Sequence, residues 1–264
     1  MMIYSGSVDE SVLVTRVTPP RLPSFWLERT QVTEHMNHGL ATTSATRLIA
    51  LCAPPGFGKS TALAAAAARV DQGFAYIRVD TTENDPVRFW SYVAASFARN
   101  CPPLGKRSRA LLANAAVAGA IGGTKDAVQT PFLTSLLNEI ADYQASVVLA
   151  VDDYHRIESG EVHEAFSAFV VELPPNARAV VASRTEPPLR LSALRARGEL
   201  VEIDVSSLSF SESETSEYLR AHVWAAQRGV QVRSSASTAS SKGGRRDCTW
   251  PPSAWKAMRR LSDS

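Results

Sequence analysis

The sequence predicts an α/β fold in which a mostly parallel sheet carries helices on both faces. Largely apolar runs recur at residues 48–52, 147–151 and 178–183, as expected for strands that are buried on both faces of a parallel sheet. Segments with helical patterns separate these runs, and the alanine-rich stretch at 62–69 has strong helix propensity. Buried strands that alternate with helices are typical of a parallel sheet flanked by helices.

The loop that joins the strand at 48–52 to the helix at 62–69 carries the strongest motif in the chain. Strand, glycine-containing loop and helix form the context that a phosphate-binding loop requires. Backbone N–H groups of such a loop and of the helix N-terminus attract phosphate oxygens. The sequence therefore predicts a P-loop NTPase whose phosphate loop consists of Ala53, Pro54, Pro55, Gly56, Phe57, Gly58, Lys59, Ser60 and Thr61.

Within this loop, Lys59 is expected to reach the β- and γ-phosphates of ATP, and the Ser60 hydroxyl is expected to ligate Mg²⁺. One position departs from the usual pattern G-x-x-x-x-G-K-[ST], because Ala53 stands where the first glycine is found. Ala53 must form its turn without the freedom of glycine at positive φ. A chance Gly-Lys-Ser turn at a helix start is the alternative, and the flanking strand and helix argue against it.

An acidic pair follows the strand at 147–151. Asp152 and Asp153 come at the carboxyl end of this buried strand, which is where ligands bind in open α/β sheets. Asp152 is expected to hold Mg²⁺ through water, and Asp153 to polarise the attacking water. The alternative is an Asp-rich turn without chemistry, and the presence of the phosphate loop favours the metal site.

Arg184 follows the strand at 178–183 and is therefore expected at the same edge of the sheet as Lys59 and Asp152. A guanidinium at this place can meet the γ-phosphate. The alternative is a structural ion pair with Glu186 or with Asp153.

The remaining elements are predicted from periodicity and from capping residues. Asp85 is the expected N-cap of the helix at 87–99, with Pro86 in its first turn, and the aromatic stripe of that helix is expected to be core. The helix at 27–40 either packs over the nucleotide base or covers the sheet without a ligand contact. Further predicted elements are a strand at 74–79, a surface helical stretch at 102–128, a helix that opens at Thr130-Pro131, a strand at 199–205 and a helix from 210 to about 220.

Composition divides the chain into unlike parts. Residues 1–219 contain 19 Lys+Arg and 24 Asp+Glu, whereas residues 220–264 contain 9 and 2. We expect an N-terminal arm at 1–20, an ATPase domain at 21–220 and a disordered C-terminal tail at 221–264. The three cysteines form neither a disulfide framework nor a metal signature, and the N-terminus lacks the features of a signal peptide. No apolar stretch reaches the roughly 20 residues that span a bilayer, so we expect a cytoplasmic protein.

Several landmarks occur together in one order. They include Asp-Asp-Tyr-His at 152–155 and Ser-Arg-Thr-Glu-Pro-Pro at 183–188, which go well beyond generic ATPase motifs. The chain thereby resembles, over roughly residues 12–219, the nucleotide-binding domain of the large ATP-binding LuxR-family regulators of the MalT type, which are STAND-class signalling ATPases. The full set of matching segments is 19–20, 53–61, 84–90, 151–155, 173–176 and 183–189.

The resemblance implies a domain that binds ATP with Mg²⁺ and hydrolyses it slowly as a switch in transcription regulation. It assigns Walker A to residues 53–60, Walker B to Asp152 and Asp153, and the sensor arginine to Arg184; alanine is common in that family at the position of Ala53. Full-length members bind DNA and an inducer, and self-association is open. The alternatives are a self-contained P-loop enzyme such as a small-molecule kinase, and a decayed fragment.

The tail does not continue the family pattern. A serine-rich run at 233–241 precedes a basic segment, where the family has a segment of the form E-G-W-x-x-G-L-x-L-A. When the codons after Ser241 are read from their third base, the tail can encode E-G-W-A-A-G-L followed by residues of that pattern. We therefore expect that the reading frame shifts between about residues 221 and 241, that the tail is disordered, and that the chain has no sequence-specific DNA binding.

Overall fold

A computed structural model describes residues 12–23, 26–70, 73–119 and 126–227. Its strands are β1 (Leu48–Cys52), β2 (Phe74–Arg78), β3 (Val147–Asp152), β4 (Ala177–Ser183) and β5 (Leu200–Ile203). Its helices are α1 (Thr30–Leu40), α2 (Lys59–Arg69), α3 (Pro86–Asn100), α4 (Lys106–Gly119), α5 (Asp126–Ala141), α6 (Gly160–Val171), α7 (Leu191–Ala196), α8 (Val205–Leu208) and α9 (Glu212–Gln227). Residues 1–11 of the predicted arm and residues 228–264 of the predicted tail lie outside the described residues.

The five strands form one sheet in the order β2-β3-β4-β1-β5, and every neighbouring pair is parallel. The predicted α/β fold with a parallel sheet is therefore confirmed. Because the strands are parallel, their carboxyl ends meet at one edge, which we call the upper edge. β4 lies between β1 and β3, so the turn after β4 stands between the phosphate loop and the acidic pair.

Helices cover both faces of this sheet, as the buried strands predict. All residues of β3 and β4 are buried. One apolar cluster joins one face of the sheet to α3, α5, α6 and α7, and the other joins the opposite face to α1, α2 and α8. The aromatic stripe of α3 is core as predicted, since Phe89, Trp90, Val93 and Phe97 are at most 1% exposed. Within the described ranges, no helix is both long enough and apolar enough to cross a membrane.

The start of α3 follows the sequence prediction. The Asp85 side chain caps the helix by accepting a hydrogen bond of 2.9 Å from the Arg88 N–H, and Pro86 is the first helical residue. Proline is well suited to this position because its missing N–H would have no partner in the first turn.

Three predicted boundaries differ from the structure. α5 begins at Asp126, so Pro131 lies inside it rather than at its start; this proline has no N–H and therefore removes one hydrogen bond of the helix. β5 ends at Ile203, because the Asp204 carboxylate accepts a hydrogen bond of 3.0 Å from Ser207 N and caps α8. α9 continues to Gln227 through an alanine-containing stretch, so the predicted boundary at residue 220 falls inside a helix.

The segment at 12–17, within the predicted arm, packs against the domain. Val12 and Val17 are buried in the cluster around α3. Arg16 forms ion pairs of 2.9 Å with both Asp80 and Glu83, which follow β2. The chain that precedes the sheet is thereby tied to its β2 edge.

Candidate nucleotide-binding site

The phosphate loop leaves β1 at the upper edge and leads directly into α2. Gly56 and Gly58 have φ angles of 91° and 78°, a region that glycine adopts without the steric cost of a Cβ atom. Among the described residues, no atom beyond the adjoining residues lies within 4 Å of the place that a Cβ would take at either glycine. The loop therefore borders open space, as a cradle for phosphate groups requires.

Ala53 does not need the freedom of a glycine. It is absent from the non-glycine residues with positive φ in the described part of the chain, and it is only 2% exposed. Its N–H donates to the Ser183 carbonyl oxygen at 3.3 Å, which extends the pairing of β1 with β4 by one residue. The special backbone angles of this loop fall on Gly56 and Gly58 instead.

Lys59 is the first residue of α2 and is largely buried. Its ammonium donates to the carbonyl oxygens of Ala53 at 2.5 Å and of Pro54 at 2.9 Å. The Lys59 side chain therefore folds back over the loop, next to the space that a phosphate would occupy. Burial lowers the pKa of Lys59, the nearby Asp152 carboxylate opposes this shift, and Arg184 adds to it. The strand order β3-β4-β1 brings the chain segments that carry these three groups to neighbouring positions at the upper edge.

Asp152 ends β3 and is only 2% exposed. Its carboxylate accepts hydrogen bonds from the Tyr76 hydroxyl at 3.0 Å and from the Asp153 N–H at 2.9 Å. Burial raises the pKa of Asp152, and the nearby Ser60 hydroxyl is the largest opposing effect. A serine hydroxyl beside a carboxylate is a donor set that suits a hard cation such as Mg²⁺, so the residues present fit the predicted metal.

Asp153 begins the turn after β3. Its φ angle is 60°, in the left-handed region that aspartate tolerates better than most residues. The 3₁₀ turn Tyr154–Arg156 follows, and Arg156 N donates to the Asp153 carbonyl oxygen at 3.0 Å. The Asp153 charge raises the pKa of both Lys59 and His155, against the effect of burial.

Arg184 is exposed at the end of β4. Within the described residues it has no ion pair with Glu186 or with Asp153, and Glu186 instead lies 4.0 Å from Arg195. Its charge influences both Lys59 and His155. Among the residues that the structure describes, the guanidinium thus has no carboxylate partner at the upper edge.

The other loop residues differ in their surroundings. Pro54 and Pro55 are exposed, whereas Phe57 packs partly against the apolar cluster of α1 and α2. Thr61 is half-buried in the first turn of α2. No group of three or more His, Cys, Asp or Glu side chains forms a metal cluster in the part of the chain that the structure describes.

Two residues of the site were missed by the sequence analysis. Tyr76 faces Asp152 because β2 lies beside β3, a neighbourhood that the sequence pattern does not reveal. His155 follows the acidic pair, and its Nδ1 is buried without a hydrogen-bond partner among the described residues. Burial and the Arg184 charge lower the pKa of His155, which favours the neutral imidazole. Its position directly after Asp-Asp was the available signal.

Comparison with known proteins agrees with this geometry. Residues 42–180, slightly more than half of the chain, match the family described as AAA domain. The chain belongs to this family.

Several curated relatives are similar over a longer stretch. The HTH-type transcriptional regulators MalT of Serratia proteamaculans and of Klebsiella pneumoniae (strain 342) are each 30% identical over 193 residues, which is 73% of this chain and 20% of theirs. MalT of Vibrio cholerae is 29% identical over 185 residues, or 67% of this chain and 18% of its own. The chain thus spans about a fifth of the length of the curated relatives it matches.

Among solved structures, a Walker-type ATPase of Pyrococcus abyssi aligns with a TM-score of 0.47 and 14% identity, over 83% of this chain and 64% of its own. That alignment carries no argument about function. The family match and the MalT relatives confirm the family predicted from the motifs: the chain is a P-loop ATPase domain related to MalT regulators, and an AAA domain implies nucleotide binding.

Proposed function

We propose that this chain binds ATP together with Mg²⁺, hydrolyses it slowly, and serves as the nucleotide switch of a MalT-type transcription regulator. The observation that carries the proposal is the convergence of Lys59, Ser60 and Asp152 at the upper edge, where Lys59 and Ser60 start α2 after the phosphate loop and the buried Asp152 ends β3. Arg184 completes this arrangement, because it follows β4, the strand that lies between β1 and β3.

Phosphate binding rests on the loop and on one lysine. The Lys59 ammonium exchanges the carbonyl oxygens of Ala53 and Pro54 for charged phosphate oxygens, which form stronger hydrogen bonds. The space beside Gly56 and Gly58 receives the phosphates close to the N-terminus of α2, whose partial positive charge adds to the attraction.

Hydrolysis divides its roles between the two aspartates. Mg²⁺ would be held by Ser60 directly and by Asp152 through water, and it would neutralise negative charge on the phosphate groups. Asp153 orients the attacking water and takes up its proton. Arg184 donates to the γ-phosphate, and this contact distinguishes ATP from ADP.

The role in regulation rests on the relatives named HTH-type transcriptional regulators. The chain spans a fifth of their length. We assign to it the part of such a regulator that binds ATP or ADP and responds to which of the two is bound. Arg184 is exposed, so a contact that it gains with the γ-phosphate of ATP and loses after hydrolysis is a direct way for this domain to signal its nucleotide state to the neighbouring parts of the regulator.

The test is nucleotide binding by the purified chain, with and without Mg²⁺. Lys59→Ala should remove binding, because each charge-assisted hydrogen bond contributes about 1.5–3 kcal/mol, and the loss of two bonds weakens affinity roughly a hundredfold or more. Arg69→Ala is the matched control, since Arg69 ends the same helix and contacts Glu28 and Thr33 instead. Equal affinity of Lys59→Ala and wild type, with both folded, would refute the assignment of the phosphate loop.

A further inference from the structure

Asn84 joins two turns that are far apart in the sequence. It ends the 3₁₀ turn Thr81–Asn84 that follows β2. This turn lies against the one that carries Asp153 after the neighbouring strand β3. We propose that the Asn84 carboxamide is a positioning residue, which holds the Asp153 turn in place beside the phosphate loop; the proposal rests on the hydrolytic role proposed above for Asp153.

The Asn84 side chain uses both of its polar atoms. Its Oδ1 accepts hydrogen bonds from Glu158 N at 2.6 Å and from Ser159 N at 2.8 Å. Its Nδ2 donates to the Thr81 carbonyl oxygen at 3.0 Å and to the Arg156 carbonyl oxygen at 3.1 Å. A carboxamide offers two donor hydrogens and one acceptor oxygen, so this side chain is fully engaged, and three of its four bonds cross to the turn after β3.

The places of these bonds on the partner turn make them a clamp. Ser159 is the N-cap of α6, and the N–H groups at the start of a helix have no partner within the helix. Asn84 Oδ1 supplies a partner to Ser159 and to Glu158 before it. Its Nδ2 fixes the Arg156 carbonyl, which ends the 3₁₀ turn that Asp153 begins. The clamp thus holds the turn from its last residue to the start of α6.

An ion pair between Arg156 and Asp80 also connects the two turns. The Arg156 guanidinium donates to Asp80 Oδ1 at 3.0 Å, and Asp80 stands at the start of the turn that Asn84 ends. Both side chains of this ion pair are partly exposed, so the pair by itself contributes little to the stability of the connection. The uncharged Asn84 bonds are not screened by salt and carry the larger part of the connection.

The position of Asp153 depends on such a clamp. Its left-handed backbone costs on the order of 1 kcal/mol and persists only where the surroundings fix it. Misplacement of a reacting group by about 1 Å can reduce a rate roughly a hundredfold. In the proposed function the nucleotide and its Mg²⁺ are held by the phosphate loop and Asp152, and the hydrogen bonds of Asn84 go instead to Thr81, Arg156, Glu158 and Ser159. Loss of Asn84 should therefore slow hydrolysis and leave binding intact.

The experiment compares Asn84→Ala, Asn84→Asp and a matched control with wild type. Asn176→Ala is the control. The Asn176 Nδ2 donates to three backbone carbonyl oxygens, at 2.8, 2.9 and 3.5 Å, but it lies before β4 at the opposite edge of the sheet. Single-turnover hydrolysis is measured per mole of bound ATP, so that a change in the folded fraction does not enter. Dissociation constants for ATP and ADP and amide hydrogen exchange are measured in parallel.

We expect Asn84→Ala to lower the hydrolysis rate roughly 10- to 100-fold, as loss of a supporting hydrogen bond does at other active sites, with both dissociation constants within about twofold of wild type. Asn84→Asp keeps the acceptor but loses the donor, and it should lie between Asn84→Ala and wild type. Asn176→Ala should hydrolyse like wild type. Exchange at Arg156 and Ile157 should accelerate in Asn84→Ala alone.

Two other outcomes are distinguishable. Hydrolysis and exchange in both Asn84 variants equal to wild type would overturn the positioning role while leaving the proposed function standing, and so would an equal loss in Asn176→Ala. Wild-type protein that binds ATP without hydrolysing it would contradict the proposed function, and with it a catalytic purpose for the clamp.

Discussion

Arg16 connects the chain before the sheet to a carboxylate that has no contact with solvent. Its guanidinium donates to both oxygens of Glu83 at 2.9 Å, and it also reaches Asp80 at 2.9 Å. The Glu83 side chain is 0% exposed, and that of Arg16 is 15% exposed. We predict that Arg16→Ala destabilises the domain, because it leaves a buried charge with fewer partners.

The size of the loss follows from the contacts that remain. Removing one partner of a buried ion pair costs about 3–5 kcal/mol when the charge is left alone. Glu83 keeps Arg88 Nε at 3.2 Å, the Thr82 hydroxyl at 2.8 Å and the Asp80 N–H at 2.6 Å. Because these partners remain, we expect a loss of stability at or just below the lower end of this range, about 2–3 kcal/mol. With a urea m-value of about 2–3 kcal/mol/M for a domain of this size, the midpoint falls by roughly 1 M.

The assay is equilibrium unfolding in urea, with Arg195→Ala as control. Arg195 forms an equally bidentate pair with Glu202, at 2.9 and 2.7 Å, but the two side chains are 52% and 44% exposed, so its loss should be within the error of the measurement. Glu83→Gln added to Arg16→Ala should recover part of the loss, since an amide is less costly to bury than an unpaired carboxylate. Equal midpoints for Arg16→Ala and Arg195→Ala would refute this reasoning.

Two predictions concern the groups around the nucleotide. Asp152→Asn should weaken the Mg²⁺ dependence of ATP binding, whereas Asp153→Asn should spare binding and slow hydrolysis roughly 10²- to 10⁴-fold; identical behaviour in titrations and single-turnover assays would show that the division of roles is wrong. Arg184→Ala should reduce the preference for ATP over ADP, since only ATP offers a γ-phosphate. Equal losses for the two nucleotides in competition binding would argue against the sensor role.

The phosphate loop and the acidic pair could be predicted because their signals are local. A glycine-containing loop between a strand and a helix is specified within about a dozen residues, and Asp152 and Asp153 come directly after an apolar run. Each motif predicts its own place at the end of a strand. The cap at Asp85 was predictable for the same reason, since an N-cap and its helix are adjacent in the chain.

Tyr76 and Asn84 could not be predicted in this way, because their partners are 72–76 residues away in the sequence. Which side chain faces Asp152 depends on the strand that pairs with β3, and strand pairing is not encoded in the periodicity of either strand. Asn84 presents the same difficulty, since Asn-Asp-Pro is an ordinary helix-start pattern. Its connection to the Asp153 turn exists only once β2 and β3 are neighbours.

Strand order also decides what Arg184 can do. The sequence alone places Arg184, Lys59 and Asp152 at one edge, but three strand ends at the same edge can be separated by other strands. In the observed order β4 lies between β1 and β3, so the turn with Arg184 is adjacent both to the phosphate loop and to the acidic pair. The Arg184 charge lowers the pKa of both Lys59 and His155, in keeping with this adjacency. In the function proposed above, Arg184 would meet the γ-phosphate between the phosphate loop and the acidic pair, which a strand order with β4 at the sheet margin would not allow.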